Sequence, residues 1–136
     1  MGRILGVDYG ESRIGLALSD DTKTIAFPFK TISNKNINYL LDLFRKLSSE
    51  KSIESIVVGL PLGMNGKDTS QTKKVRIFSI SIEILGLPIF LQDERLTSVS
   101  AKKTLIKQNI KTGYNKKKID AIAASILLQQ FLDVNN

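Results

Sequence analysis

The first third of the chain sets three short apolar runs between two four-residue polar turns, and that spacing leaves an antiparallel meander as the natural outcome. Arg3 to Asp8 carries Ile4, Leu5 and Val7 and reads as a buried strand. Tyr9-Gly10-Glu11-Ser12 is a turn. Arg13 to Ser19 alternates Ile14, Leu16 and Leu18 with smaller residues, the mark of a second strand. Asp20-Asp21-Thr22-Lys23 turns again, and Thr24 to Ile32 makes a third strand. Pro28 assigns that strand to an edge, because proline has no amide proton to give an inner ladder.

Beyond residue 33 the apolar period changes from two to that of a helix. Ile37, Leu40, Leu41, Phe44 and Leu47 line one helical face, with Ser33 or Asn34 as the cap. Ser55 to Gly59 is a short buried strand, and Leu60 to Lys67 a Pro/Gly-rich loop. Between Asp68 and Leu85, Ile80, Ile82 and Ile84 alternate like a strand, while Val75, Phe78, Ile82 and Leu85 are spaced like a helix. The length, the capping residues Asp68, Thr69 and Ser70, and Gly86 at the end favour helix. Pro88 to Leu91 is a last strand. Two helices follow: one from about Ser98 to Asn109, and one with Ile119, Ile122, Ala123, Ile126, Leu127 and Phe131 on a single face, separated by Thr112 to Asn115. No repeat or linker interrupts the 136 residues, so one domain over 1–136 is expected. The order is β-β-β-α-β-α-β-α-α. A meander followed by two crossover units gives an α/β fold with a mixed five-stranded sheet and helices on both faces, the ribonuclease H-like order.

Composition narrows the chemistry. There is no cysteine and no histidine, which excludes thiolate nucleophiles, disulfides, histidine bases and Cys- or His-ligated metals. Catalysis, if present, falls to carboxylates, and carboxylates alone bind hard cations such as Mg²⁺ or Mn²⁺. No apolar run approaches a membrane span and no secretory signal precedes the first strand, so the expectation is a soluble, cytoplasmic protein. The net charge is +7. Between Glu94 and Asp120 lie Arg95, Lys102, Lys103, Lys107, Lys111, Lys116, Lys117 and Lys118 with no acid among them, more than the whole net charge of the chain. Such a stretch suits a polyanion, although a solvated helix face also accounts for charge runs of this kind.

Three acids stand where chemistry is expected. Asp8 ends the first strand and Glu94 follows the last, and sites in open α/β sheets form beyond the carboxyl ends of the strands. Asp120 lies one residue off the apolar stripe of the final helix, between small residues that let the helix approach the sheet. Three converging carboxylates repel unless cations neutralise them, and two divalent ions could activate water and stabilise the leaving oxygen of a phosphodiester. Taken singly, each acid could be a surface carboxylate or a cap; Asp8 suits that account least, because it follows an apolar strand. Arg13 and Arg95 stand beside these acids and could grip a phosphate, although Arg95 could instead pair with Asp93 or Glu94. Lys102, Lys103, Lys107, Lys116, Lys117 and Lys118 would contact phosphates without reading sequence. The loop with Gly59, Gly63 and Gly66 fails the Walker pattern, because Pro61 stands where its first glycine belongs. A backbone phosphate loop and a plain strand-to-helix connection both fit it. Ser98 is a helix cap rather than a nucleophile, since no base is at hand to activate it.

Four segments together resemble the YqgF/RuvX family of bacterial ribonuclease H-like proteins: DYGESRIGLALSD at Asp8–Asp20, VVGLPLGMNG at Val57–Gly66, DERLTSVSA at Asp93–Ala101 and KKIDAIAASILLQQFL at Lys117–Leu132. They occur in the family's order and span nearly the whole chain. The resemblance implies a metal-dependent nuclease with Asp8, Glu94 and Asp120 as its acidic triad. It implies either processing of the 5′ end of precursor 16S ribosomal RNA or resolution of four-way DNA junctions, by a monomer or weak homodimer. A non-catalytic RNA-binding assembly factor would use the same basic stretch. Asn65 departs from the family, whose members often carry Asp there.

Overall fold

The meander forms as its turns predict. The computed structural model of the chain describes residues 2–94 and 116–135, with backbone alone at 116 and 117. Strands β1 (Arg3–Tyr9), β2 (Arg13–Ser19) and β3 (Ala26–Ser33) are followed by helix α1 (Ile37–Lys51), strand β4 (Ile53–Leu60), helix α2 (Ser70–Ser81), strand β5 (Ile89–Asp93) and helix α3 (Lys116–Asn135). The sheet runs β3-β2-β1-β4-β5. The three meander strands pair antiparallel, and β4 and β5 join β1 in parallel. Pro28 sits on the edge strand β3, next to a bulge opposite Leu16 and Ala17. Among the described residues the order is ribonuclease H-like; the helix expected over Ser98–Asn109 lies outside them.

Alternation along the strands divides the core in two. One face of the sheet sends Leu5, Val7, Ile14, Leu16, Ile56 and Val58 against Leu40, Phe44 and Leu47 of α1 and Val75 and Phe78 of α2. The opposite face sends Ile4, Ala17 and Val57 against Ala124, Leu128 and Leu132 of α3. Helices therefore cover both faces. The α3 face is built from small residues, and a Cβ at Gly6 would stand 2.9 Å from the Leu128 Cβ. Gln129 ties the helix down: its Oε1 accepts from the Ala26 amide at 2.8 Å, and its Nε2 donates to the Thr24 carbonyl at 2.9 Å.

Several boundaries differ from the sequence reading for local reasons. The cap of α1 is Asn36, whose side chain accepts from the Tyr39 amide, rather than Ser33 or Asn34. Ser33 is still paired to Arg13 as the last residue of β3, and the Asn34 side chain donates to the Gly10 carbonyl at 2.8 Å. The third strand starts at Ala26, two residues later than the apolar pattern suggests, because Asp20 organises the preceding turn. Its carboxylate accepts from Thr22 Oγ1 at 2.6 Å, the Thr24 amide at 2.7 Å and the Ile25 amide at 3.0 Å. The 68–85 region is helical as expected, but it tightens into a 3-10 turn over Ile82–Leu85 and stops at Gly86, whose φ is 79°. Thr69 caps it, in a reciprocal capping box with Thr72, while Asp68 pairs with Arg76 instead.

Candidate active site

Asp8 lies in a transverse row that crosses the sheet. It pairs with Gly15 on β2. One residue earlier Val7 pairs with Val58, which brings Asp8 level with Gly59 on β4, and Gly59 in turn pairs with Gln92 on β5. Residues level with one another share a face, here the one covered by α3. Asp8 is only 9% exposed, an unfavourable place for a carboxylate without compensating interactions.

The glycines on either side of Asp8 show what surrounds it. A Cβ at Gly15 would overlap the main-chain carbonyl of Asp120, so α3 rests directly on β2 at that point. A Cβ at Gly59 would stand 2.6 Å from Glu94 Oε1 and 2.9 Å from Leu127 Cδ2. The two gaps left by glycine are thus filled by Asp120 on one side of Asp8 and by Glu94 on the other. Asp120 is buried on the first turns of α3, 7% exposed, and its Oδ2 accepts from Arg13 Nε at 2.7 Å. Arg13, partly exposed at the start of β2, stands two residues from Gly15 and hence on the same face. Glu94 directly follows β5 and is half-buried.

The three acids predicted from sequence, far apart in the chain, thus come to the same part of the α3-covered face: Asp8 in the row, Asp120 over Gly15 and Glu94 over Gly59. Arg13 joins them by binding Asp120. Lys118 is exposed near the start of α3, and Lys116 and Lys117 lie in its first turn. Arg95, Lys102, Lys103 and Lys107 fall outside the described residues. Gly59 is inside β4 beneath Glu94, the Gly63 amide donates to the Lys67 carbonyl at 2.9 Å, and the Gly66 amide donates to the Gly63 carbonyl at 2.8 Å. Those two amides are engaged within the loop itself. Asn65 belongs to the same tight loop, its Oδ1 accepting from the Lys67 amide at 3.0 Å.

Sequence reasoning missed the part played by Gly15, and by Gly59 as a clearance. A signal was present: Gly6 is in phase with Asp8 on β1, Gly15 with Ala17 on β2 and Gly59 with Val57 on β4, so period-two alternation marks one face as small. The donors around the row are oxygen-only and anionic, which fits a hard divalent cation. Among the described residues, no group of three or more acidic side chains forms a ready ion cage. Arg13 supplies a cation at Asp120.

Known proteins similar to this chain point to one family. The sequence profile described as "RuvX: Holliday junction resolvase" matches residues 2–134. A relative from Roseiflexus sp. (strain RS-1), named "Putative pre-16S rRNA nuclease", is 41% identical over 97% of this chain and 94% of its own length. A relative of the same name from Desulforamulus reducens is 41% identical over 96% of each chain. Among solved structures, Thermus thermophilus RuvC in complex with a Holliday junction substrate superposes with a TM-score of 0.62 at 11% identity, covering 99% of this chain and 96% of that one. The yeast mitochondrial Holliday junction resolvase gives 0.58 at 14% identity, covering 96% and 78%. At such identities the likeness is one of fold.

Proposed function

The chain belongs to the RuvX family, and on that premise we propose that it is a metal-dependent endonuclease of structured RNA, acting in the cytoplasm on the 5′ end of precursor 16S ribosomal RNA. One observation carries this reading: Asp8, Glu94 and Asp120 gather around a single row of the sheet, two of them buried. Burying carboxylates together is unfavourable for folding alone, and it is useful where cations and a phosphodiester are to be held. The names of the curated relatives supply the RNA substrate.

Asp8, Glu94 and Asp120 would hold Mg²⁺ or Mn²⁺. The chemistry such ions supply when bound, in pairs on a phosphodiester, is acidification of a water and stabilisation of the leaving oxygen. The chain's own residues do the rest. Pairing with Gly15 on β2, and of neighbouring Val7 with Val58 on β4, fixes the backbone position of Asp8. Arg13 orients Asp120 through Nε and, as the substrate strand arrives, presents its remaining guanidinium donors to the phosphate. Lys118, Lys116, Lys117 and the basic residues Arg95, Lys102, Lys103 and Lys107 hold the RNA backbone by charge. A single copy of the chain suffices to cut one strand.

The test is cleavage of a labelled precursor 16S RNA fragment beside a four-way DNA junction, each with Mg²⁺, Mn²⁺ or chelator, and with Asp8→Asn in parallel. Metal-dependent cleavage of the RNA that is lost in Asp8→Asn is the expected result. Cutting of the junction alone would make this a resolvase, which needs two sites and hence a dimer. Tight, salt-sensitive RNA binding without cleavage would make it an assembly factor.

A further inference from the structure

The row that holds the acids continues one strand further. Gly15 pairs with Thr31 of the edge strand β3. At about 4.8 Å between strands, Thr31 stands about 10 Å from Asp8. There, between β3 and the start of α3, lies an open groove of about 490 Å³. Pro28, Phe29, Thr31, Ala121 and Ile122 give it a mainly apolar floor, and Lys30 and Lys118 also line it. Ala121 is the residue next to Asp120, so the groove begins where the acidic row ends. Both lysines are exposed, and among the described residues no acid lines the groove.

We propose that this groove binds an unpaired nucleotide of the RNA strand next to the bond that is cut, its base against the Pro28–Ile122 floor and its phosphates between Lys30 and Lys118. The inference rests on the nuclease reading for the identity of the strand. Charge selects the occupant: two lysines, with no acid among the described lining residues, flank an apolar floor, which matches a base carried on a phosphodiester and does not match an acidic cation site or a purely apolar helix. Shape selects among nucleic acids. A base in a duplex is stacked and paired and cannot turn its face into a groove, whereas an unpaired base can. The floor is mainly apolar and includes Phe29, so it takes a base by its face rather than by its edge, and the site tolerates any of the four bases. Paired RNA is held by the basic residues alone, and unpaired RNA by those residues and the groove.

The experiment compares a blunt RNA hairpin with the same hairpin carrying a tail of four unpaired uridines, bound to the full chain in chelator and followed by fluorescence anisotropy. The wild type should prefer the tailed RNA by about tenfold. Ile122→Asp should abolish that preference and leave affinity for the blunt hairpin unchanged, while Ile122→Leu should retain it. Lys30→Ala with Lys118→Ala should weaken tailed-RNA binding and flatten its salt dependence. A 4-thiouridine in the tail should crosslink to β3 or to the first turns of α3. Equal affinity of the wild type for the two RNAs overturns the proposal, as does a tail preference that survives in Ile122→Asp or crosslinking confined to other elements. Ile122→Asp is read only beside a cooperative melt, and the crosslink on the wild type decides independently of any variant. Groove-dependent binding in a protein that cuts neither RNA with Mg²⁺ or Mn²⁺ would support the groove and overturn the nuclease reading.

Discussion

A carboxylate 9% exposed on an inner strand costs folding free energy, and Asp8 sits in such a place beside two further acids. Asp8→Asn removes the charge and keeps the shape. It should leave the melting temperature unchanged or raised by a few degrees, while cleavage falls on the order of a thousandfold. A variant that melts lower and still cuts would refute the assignment. Arg13 behaves in the opposite sense. Arg13→Gln deprives buried Asp120 of a charged hydrogen bond at 2.7 Å and should cost about 1–2 kcal/mol in urea denaturation, a moderate figure because the arginine is partly exposed. The same variant should gain more stability from added Mg²⁺ than the wild type does, since Asp120 then loses the Arg13 guanidinium. Asp20, at the β2–β3 turn, sets a pH dependence. Its bonds from Thr22, Ile25 and Thr24 hold its carboxyl at about 2, below the ordinary 3.8. A group depressed on folding stabilises above its unfolded value, so this contribution is complete above about 3.8 and is lost as pH falls through about 2. Asp20→Asn should flatten stability over that window in acid titrations followed by circular dichroism.

At the scale of elements, the docking of α3 assembles the site, and glycine makes that docking feasible. Gly15→Ala would drive a Cβ into the Asp120 main chain, which cannot give way as a flexible side chain could. A loss of about 3 kcal/mol is expected, with faster hydrogen exchange along α3. Gly86→Ala is the control: nothing lies within 4 Å of its added Cβ, and only the left-handed φ of 79° opposes it, at about 1 kcal/mol. Equal losses at the two positions would argue that α3 does not rest on β2. The helix itself was legible from the spacing of Ile119, Ile122, Ala123, Ile126 and Leu127, because periodicity is a local property. Its seat on the sheet was not, because clearance between backbones depends on which glycines face each other across separate strands. The cap of α1 was misplaced for a related reason. Asn34 has the chemistry of a cap, but its amide is drawn to Gly10, a partner in another turn.

For the molecule as a whole, the charge of +7 sits largely in one acid-free stretch, and RNA binding should weaken steeply with salt. Lys118→Ala should reduce the slope of log affinity against log salt by about 1, with little change in sequence preference. An unchanged slope would place the RNA elsewhere. Sequence by itself determined the order of strands and helices over the described residues, the absence of thiol and imidazole chemistry, and the three acids at strand ends and on the last helix. These follow from period, residue type and position along the chain. Only the tertiary structure decided that Gly15 and Gly59 flank Asp8, that Arg13 serves Asp120, that the amides of Gly63 and Gly66 close their own loop, and that a groove lies beside the acids. Each of these depends on the register between strands distant in sequence and on how closely a helix can settle over them, and packing fixes both only once the sheet is complete.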